Sequence, residues 1–275
     1  MKQVLILLAG IGMAITAMGQ TDSTEQKADT IRIGNMIIIK KPGRNNDDND
    51  NDKEARIHRR RNYKPSNVST NWGIVDLGFA NYDDQTNYGG PEASEFAPGM
   101  VKSDFKLNPN KSSNVNIWIV TQRLNVYKHM VNLKYGAGLE MWNFRYKRNV
   151  LYNTNPTLVS IDNDRNYEKN KLAAEYVTVP LMVNFNFTPQ RKRGFGFSAG
   201  MSAGYLLWSR QKTITSENGK QKTRDDFDLR PFKLTYIGEL VLGPVKVYAS
   251  WATQSMFEKG LDQTPYAIGF RLSNW

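Results

Sequence analysis

The pattern of apolar and polar residues changes near residue 70, and from there to the C-terminus it alternates with a period of two. Strict alternation is typical of a β-strand with one apolar and one polar face. The pattern predicts eight such strands: Asn71–Ala80, Asn114–Val126, Val131–Trp142, Tyr176–Phe187, Phe195–Leu207, Leu229–Leu242, Val245–Gln254 and Tyr266–Leu272.

The second of these segments is ambiguous, because it contains two apolar stripes of opposite phase. Val115, Ile117 and Ile119 form one stripe. Trp118, Val120, Leu124 and Val126 form the other. A β-bulge, which inserts one extra residue into a strand, would explain the change of phase. The sequence does not locate that bulge.

The links between the predicted strands alternate in length. Three links are long, at about Asn81–Ser113, Lys147–Lys171 and Gln211–Asp228, whereas the links between them are as short as Gly243-Pro244. Bacterial transmembrane barrels have an even number of antiparallel strands, with short periplasmic turns and long outer loops. A soluble β-sandwich has no reason to alternate its loops so regularly.

The composition fits a barrel better than it fits helical membrane spans. Mean hydropathy is −0.57, and beyond the N-terminus no apolar run is long enough for a transmembrane helix. In a barrel strand only alternate residues face lipid, so average hydropathy conceals the span. We therefore predict an all-β fold, an eight-stranded antiparallel up-and-down transmembrane β-barrel, over residues 70–275.

The N-terminus indicates export. Lys2 precedes an apolar run from Val4 to Ala14, and small residues surround a cleavage site between Gly19 and Gln20, so residues 1–19 are predicted to be a signal peptide. Residues 20–69 contain one strand-like stretch, Met36–Ile39, among residues rich in charge and Asn. We interpret residues 20–69 as a flexible periplasmic tether, and expect both mature termini in the periplasm.

The net charge of +11 could suggest nucleic acid, but export argues against that partner. We expect the basic runs to be solvated or to lie near anionic headgroups, in contact with outer-membrane lipid and lipopolysaccharide. The link after the fifth strand mixes basic and acidic residues. It could contact lipid phosphates or an unknown loop or periplasmic partner, or be only a solvated loop.

Candidate chemistry is concentrated on the polar faces of the strands, which would point into the barrel. An eight-stranded barrel is just wide enough to be filled by side chains, so these charges are expected to form a paired network that is structural. The alternative is a narrow gated pore. The residues are Asp76, Lys134, Glu140, Lys233, Glu239, Lys246 and Arg271.

Catalysis and metal binding find little support. A lipid-modifying site would need a nucleophile beside a His base. His58 lies in the predicted tether, and His129 lies in a short turn without a readable Ser/Asp arrangement. The chain has no Cys, so it offers no thiolate ligands and no disulfide framework. We expect no enzyme activity, no metal and no cofactor.

Two stretches resemble the porin-like outer-membrane β-barrel family that is common in Bacteroidetes. One is Glu175–Leu181, and the other runs from Val247–Ser250 through Phe257–Gly260 to Pro265–Leu272. The resemblance covers about Asn71 to Trp275 and implies a small OmpA-like or OmpX-like barrel in a family whose members mostly have no assigned activity. Recognition by the outer-membrane assembly machinery is expected, although Trp275 is out of phase with the stripe that ends at Leu272. The expected role is that of a membrane anchor, structural or binding component acting through its long loops.

Overall fold

The structure is a computed structural model that describes residues 30–33, 36–39, 65–154, 156–191 and 194–272. The predicted signal peptide, with Gly19 and Gln20, lies outside the described residues, as does most of the predicted tether. Within that tether, β1 (Thr30–Ile33) and β2 (Met36–Ile39) pair antiparallel. This hairpin belongs to a unit, Met1–Arg59, that is separate from the remainder of the chain.

Eight antiparallel strands form a closed ring, which confirms the predicted fold class. They are β3 (Val68–Asp84), β4 (Ser113–Tyr127), β5 (Val131–Arg145), β8 (Tyr167–Asn186), β9 (Phe195–Thr215), β11 (Phe232–Leu242), β12 (Val245–Ala252) and β13 (Gln263–Leu272). Neighbours in the chain are neighbours in the ring, and β13 returns to pair with β3. Among the described residues, no helix is both long and apolar enough to cross a membrane.

The apolar stripes face outward. Large exposed hydrophobic residues occur on all eight ring strands, among them Phe79, Leu181, Phe197 and Ile268. The alternate positions face inward and are mostly polar or small. The barrel thus exposes its apolar side chains and encloses its polar ones, the reverse of a soluble protein.

The bulge expected in the second strand is at Ile119. The register between β4 and β5 shifts between Trp118 and Val120, and Gly73 on β3 lies opposite with a φ of 66°. Ile119 and Val120 consequently both face outward. Trp118 is buried in the interior, so it does not share a face with Val120, Leu124 and Val126, with which the sequence pattern grouped it.

Several strands differ in length from the prediction. At one end of the barrel, β8 begins nine residues earlier than expected, at Tyr167, and β9 continues to Thr215. A ninth strand joins the sheet of the ring: β10 (Gly219–Arg224) pairs with residues 210–215 at the end of β9. β11 is instead shorter than predicted: it begins at Phe232, and Leu229 lies in a loop.

The two ends of the barrel differ. One end, here the turn end, has short connections such as Gly243-Pro244, where Leu242 pairs with Val245. The other end, the loop end, carries the long links. These include α1 (Pro91–Phe96) and a hairpin of β6 (Val150–Asn153) and β7 (Leu158–Ile161). A cluster of buried hydrophobic residues fills the loop end.

Candidate functional site

All seven charged residues proposed for the interior lie on inward-facing positions, and each has a buried side chain or is nearly buried. The alternation of the strands places them there. Each occupies the parity opposite to the exposed apolar stripe of its own strand. They form two groups, one around Asp76 and Glu239 and the other around Glu140.

The first group is a chain of ion pairs across the barrel. Arg271 binds Asp76 through two parallel contacts, Nε–Oδ1 at 2.7 Å and Nη2–Oδ2 at 2.8 Å. Its Nη1 also reaches Oε2 of Glu239 at 2.7 Å, and Lys134 Nζ donates to the same oxygen at 2.6 Å. Trp118 Nε1 donates to Asp76 Oδ2 at 2.6 Å. Fork-like contacts of this kind fix geometry as well as charge.

Lys246 lies beside this chain of ion pairs. The turn at Gly243-Pro244 places Glu239 opposite Tyr248, so Lys246 is diagonal to Glu239. The short ion pairs of Glu239 are made with Lys134 and Arg271. Lys246 itself lines a cavity near the turn end together with Glu239.

The second group lies closer to the loop end. Lys233 Nζ is 2.8 Å from Glu140 Oε2, and the same oxygen accepts from Thr178 Oγ1 at 3.0 Å. Trp142 Nε1 donates to the other carboxylate oxygen at 2.9 Å. Lys233 Nζ also lies over the rings of Trp142 and Tyr176, at 4.9 and 4.4 Å from their centroids. The negative faces of aromatic rings attract a cation placed over them, and the attraction is stronger when the cation is shielded from water.

A cavity lined by residues of both groups lies between them. Its lining includes Asp76, Glu140, Ser202, Ser250 and Arg271, and it is large enough for a few water molecules. A second cavity opens toward the turn end, lined by four basic residues and the acidic Glu239. The basic residues are Arg123, Lys134, Arg191 and Lys246. The barrel therefore has a charged interior with small, discontinuous spaces.

Above the second group the interior changes to an apolar core, which we call the loop cap. It contains buried side chains from α1, the β6–β7 hairpin and the surrounding loops and strand ends. Aromatic rings predominate; Tyr152, for example, stacks on Phe257 with centroids 6.2 Å apart and packs edge-on against Phe227 at 5.8 Å.

Buried polar side chains hold the loop cap in the mouth of the barrel. The Gln211 side chain accepts from Tyr152 N at 3.0 Å and donates to Val150 O at 2.8 Å, so a barrel strand is joined to the β6 backbone. At the opposite side, Asp84 at the end of β3 accepts from the Tyr88 hydroxyl in the following loop at 2.7 Å. The long loops are therefore folded into the mouth of the barrel.

Sequence reasoning missed the loop cap and the uncharged partners of the acids. Thr178 and Trp142 share the inward parity of their strands, so alternation could have pointed to them. No comparable signal marks Phe105 or Phe227, which are fully buried in irregular loops where apolar residues have no regular period.

The remaining candidates occupy peripheral places. His129 lies in the tight turn between β4 and β5 with a φ of 56°. Its backbone N–H donates to Asn125 Oδ1 at 2.7 Å, and its backbone carbonyl accepts from Asn132 Nδ2. Within the described part of the chain, no group of three or more His, Asp or Glu side chains could hold a metal ion.

A closed ring of eight strands, apolar outside and charged inside, defines an integral membrane β-barrel. The chain matches the family model described as "Outer membrane protein beta-barrel domain" over residues 79–261, about two thirds of its length. The protein belongs to that family and is an outer-membrane β-barrel protein. No curated protein matches the chain.

Proposed function

We propose that the protein is a closed barrel that anchors the loop cap at the cell surface, where the cap acts as a structural or binding component without catalysis. The observation that carries this proposal is the filling of the interior at two levels. Paired charges occupy the middle of the barrel, and the aromatic core of the loop cap occupies its outer mouth. A barrel filled in this way anchors loops better than it conducts solutes.

The orientation is part of the proposal. Barrels of this type have short turns on the periplasmic side and long loops outside, so the loop end faces the medium and both mature termini are in the periplasm. The chain has no Cys, so a single introduced Cys is a unique label. An impermeant maleimide added to intact cells should label Asn218→Cys, in the β9–β10 turn, and not Gln190→Cys, at the turn end. The reverse pattern would refute the orientation.

Planar-bilayer recording tests whether the barrel is closed. The purified wild-type protein should give no steady conductance, because the ion pairs of Glu239 cross the interior and the loop cap covers one end. A steady current that is lost or altered in Glu239→Ala or Lys246→Ala, but not in the exposed-loop control Lys111→Ala, would contradict an anchor without conduction.

A narrow gated pore is the second candidate, and the two interior cavities favour it. Four of the five charged side chains that line the cavity at the turn end are basic, and the fifth, Glu239, borders both cavities. Conduction would require the loop cap to open and the ion pairs to exchange partners. The conductance measurement therefore separates the two candidates directly.

A further inference from the structure

A row of four basic residues crosses the outward face of the sheet at the loop end. Arg145 on β5 is directly opposite Lys171 on β8, Lys171 is opposite Lys212 on β9, and Lys212 is opposite Lys222 on β10. Neighbouring strands are about 4.8 Å apart, so the row spans about 14 Å. Like charges directly opposite one another in a sheet are destabilising, so this row needs an explanation.

More basic residues flank the row on the same face. Arg224 is opposite Arg210, and Lys220 is opposite Ile214, each pair two residues away from Lys222 and Lys212 along the strands. On the side of these basic residues that is nearer the middle of the barrel, Arg210 Nη1 forms an ion pair with Glu175 Oε1 at 2.6 Å. We call Arg145, Lys171, Lys212 and Lys222, with these flanking residues, the basic face.

Protection of a sheet edge accounts for only part of the basic face. Lysines on an edge strand discourage pairing with other chains, and β10 is such an edge, since it pairs with β9 alone. Edge protection can explain Lys220 and Lys222. It does not explain Arg145, Lys171 and Lys212, because β5, β8 and β9 each have neighbours on both sides.

The basic face begins where the lipid-facing surface ends. On β9 the outward-facing residues change from the exposed Tyr205 and Trp208 to the half-buried Arg210 and Lys212. Trp208 donates a hydrogen bond to Glu175, as expected for an aromatic residue at a membrane interface. Lys212 is four residues beyond Trp208, about 13 Å along a tilted strand. The headgroup layer is about 5–8 Å thick on each side of a bilayer, so the row lies within it or just above it.

We propose that the basic face binds the phosphate groups of phosphorylated lipid headgroups in the leaflet around the loop end. A phosphate monoester carries a charge of about −1.5 to −2 at neutral pH, enough to offset two neighbouring lysines. Opposed cations on adjacent strands then share one anion instead of repelling each other. The identity of that leaflet as the outer one rests on the proposed orientation, whereas the binding chemistry does not.

The test uses the full protein, purified in a neutral detergent and incubated with lipid of defined composition. The probes are bisphosphorylated lipid A, the same lipid without its phosphates, and inorganic phosphate as a competitor. Bound lipid is quantified after repurification. The variant is Lys171→Gln/Lys212→Gln/Lys222→Gln. The control is Lys106→Gln/Lys111→Gln/Lys147→Gln, which removes the same charge from exposed positions elsewhere in the loops.

Wild type and control should retain the bisphosphorylated lipid, and the basic-face variant should bind it roughly 100-fold more weakly, since each basic residue near an anionic surface contributes about fivefold. Retention by the wild type should also fall as salt is raised, a result that depends on no variant. Equal retention of the dephosphorylated lipid, equal binding by the basic-face variant, displacement by inorganic phosphate at low millimolar concentration, or independence of salt would each overturn the proposal. Because detergent removes sidedness, failure here is distinguishable from failure of the orientation, which the Cys labelling reports.

Discussion

The middle of the barrel and the loop cap are adjacent interiors with opposite chemistry. In the middle, buried acids and bases such as Asp76 and Arg271 are joined by ion pairs. In the loop cap, side chains such as Phe105 and Val159 are fully buried among other apolar groups. Trp142 and Tyr176 mark the border, because their rings lie over Lys233 on one side and belong to the apolar core on the other.

The surroundings of each region explain the contrast. Around the middle of the barrel lies lipid, so the strands turn their apolar residues outward and mostly polar or small residues remain for the interior. Buried charges are tolerated there because each acid has several partners. The loop cap extends beyond the lipid-facing surface and is organised like a soluble domain, with an apolar core that gains from exclusion of water.

The largest expected effect is the loss of a buried acid from the barrel interior. Asp76→Ala removes the carboxylate that accepts two hydrogen bonds from Arg271 and one from Trp118. The buried guanidinium of Arg271 is then compensated only by Glu239. We expect a loss of about 3–5 kcal/mol in the free energy of unfolding. Urea titration in detergent, followed by the gel shift between folded and boiled forms, measures it.

Two further variants sharpen this prediction. Asp76→Leu combined with Arg271→Met should be less destabilised than Asp76→Ala, since replacing both partners leaves no unpaired charge. Asp83→Ala, which removes a half-exposed carboxylate on the same strand that accepts from Gln85, should change stability by less than about 0.5 kcal/mol. A double variant as unstable as the single one would mean that the ion pair contributes through its specific shape rather than through charge compensation.

The same contrast determines how much could be predicted from the sequence. Alternation predicted eight strands, the outward stripes and the inward parity of residues such as Glu140 and Lys233, because lipid imposes a period of two on every strand. It did not locate the bulge at Ile119, where the phase changes within one apolar run. It also began β8 too late and ended β9 too early, since strands that leave the membrane no longer need an apolar face. Leu229 was assigned to a strand because it is apolar, yet it belongs to the loop cap.

A second prediction addresses the loop cap. Val159→Ala removes two methyl groups from a side chain with 0% exposure, and should cost about 2 kcal/mol of local stability. Hydrogen exchange at the β6–β7 amides should accelerate roughly 30-fold, whereas the urea midpoint of the barrel should stay unchanged. Val101→Ala is the matched control, because Val101 is 51% exposed in the same set of loops. A parallel loss of barrel stability would show that the two interiors unfold together.

The smallest of these effects is expected at Gly204 on the inner face of β9, and comparison with Gly200 tests how the charged interior is packed. A Cβ at Gly200 would lie 2.1 Å from the Leu181 carbonyl oxygen and 2.6 Å from Met182 Cα, so the backbone of β8 would have to move. A Cβ at Gly204 would lie 3.2 Å from Thr178 Oγ1 and 3.3 Å from Lys233 Cε, which are side-chain atoms that can shift slightly. Gly200→Ala should therefore cost about 1–3 kcal/mol in the urea titration, and Gly204→Ala less than about 1 kcal/mol. If Gly204→Ala were the more damaging substitution, the position of Lys233 beside Glu140 would be held more tightly than the strand backbone, and the ion pair rather than the sheet would limit how closely the interior can pack.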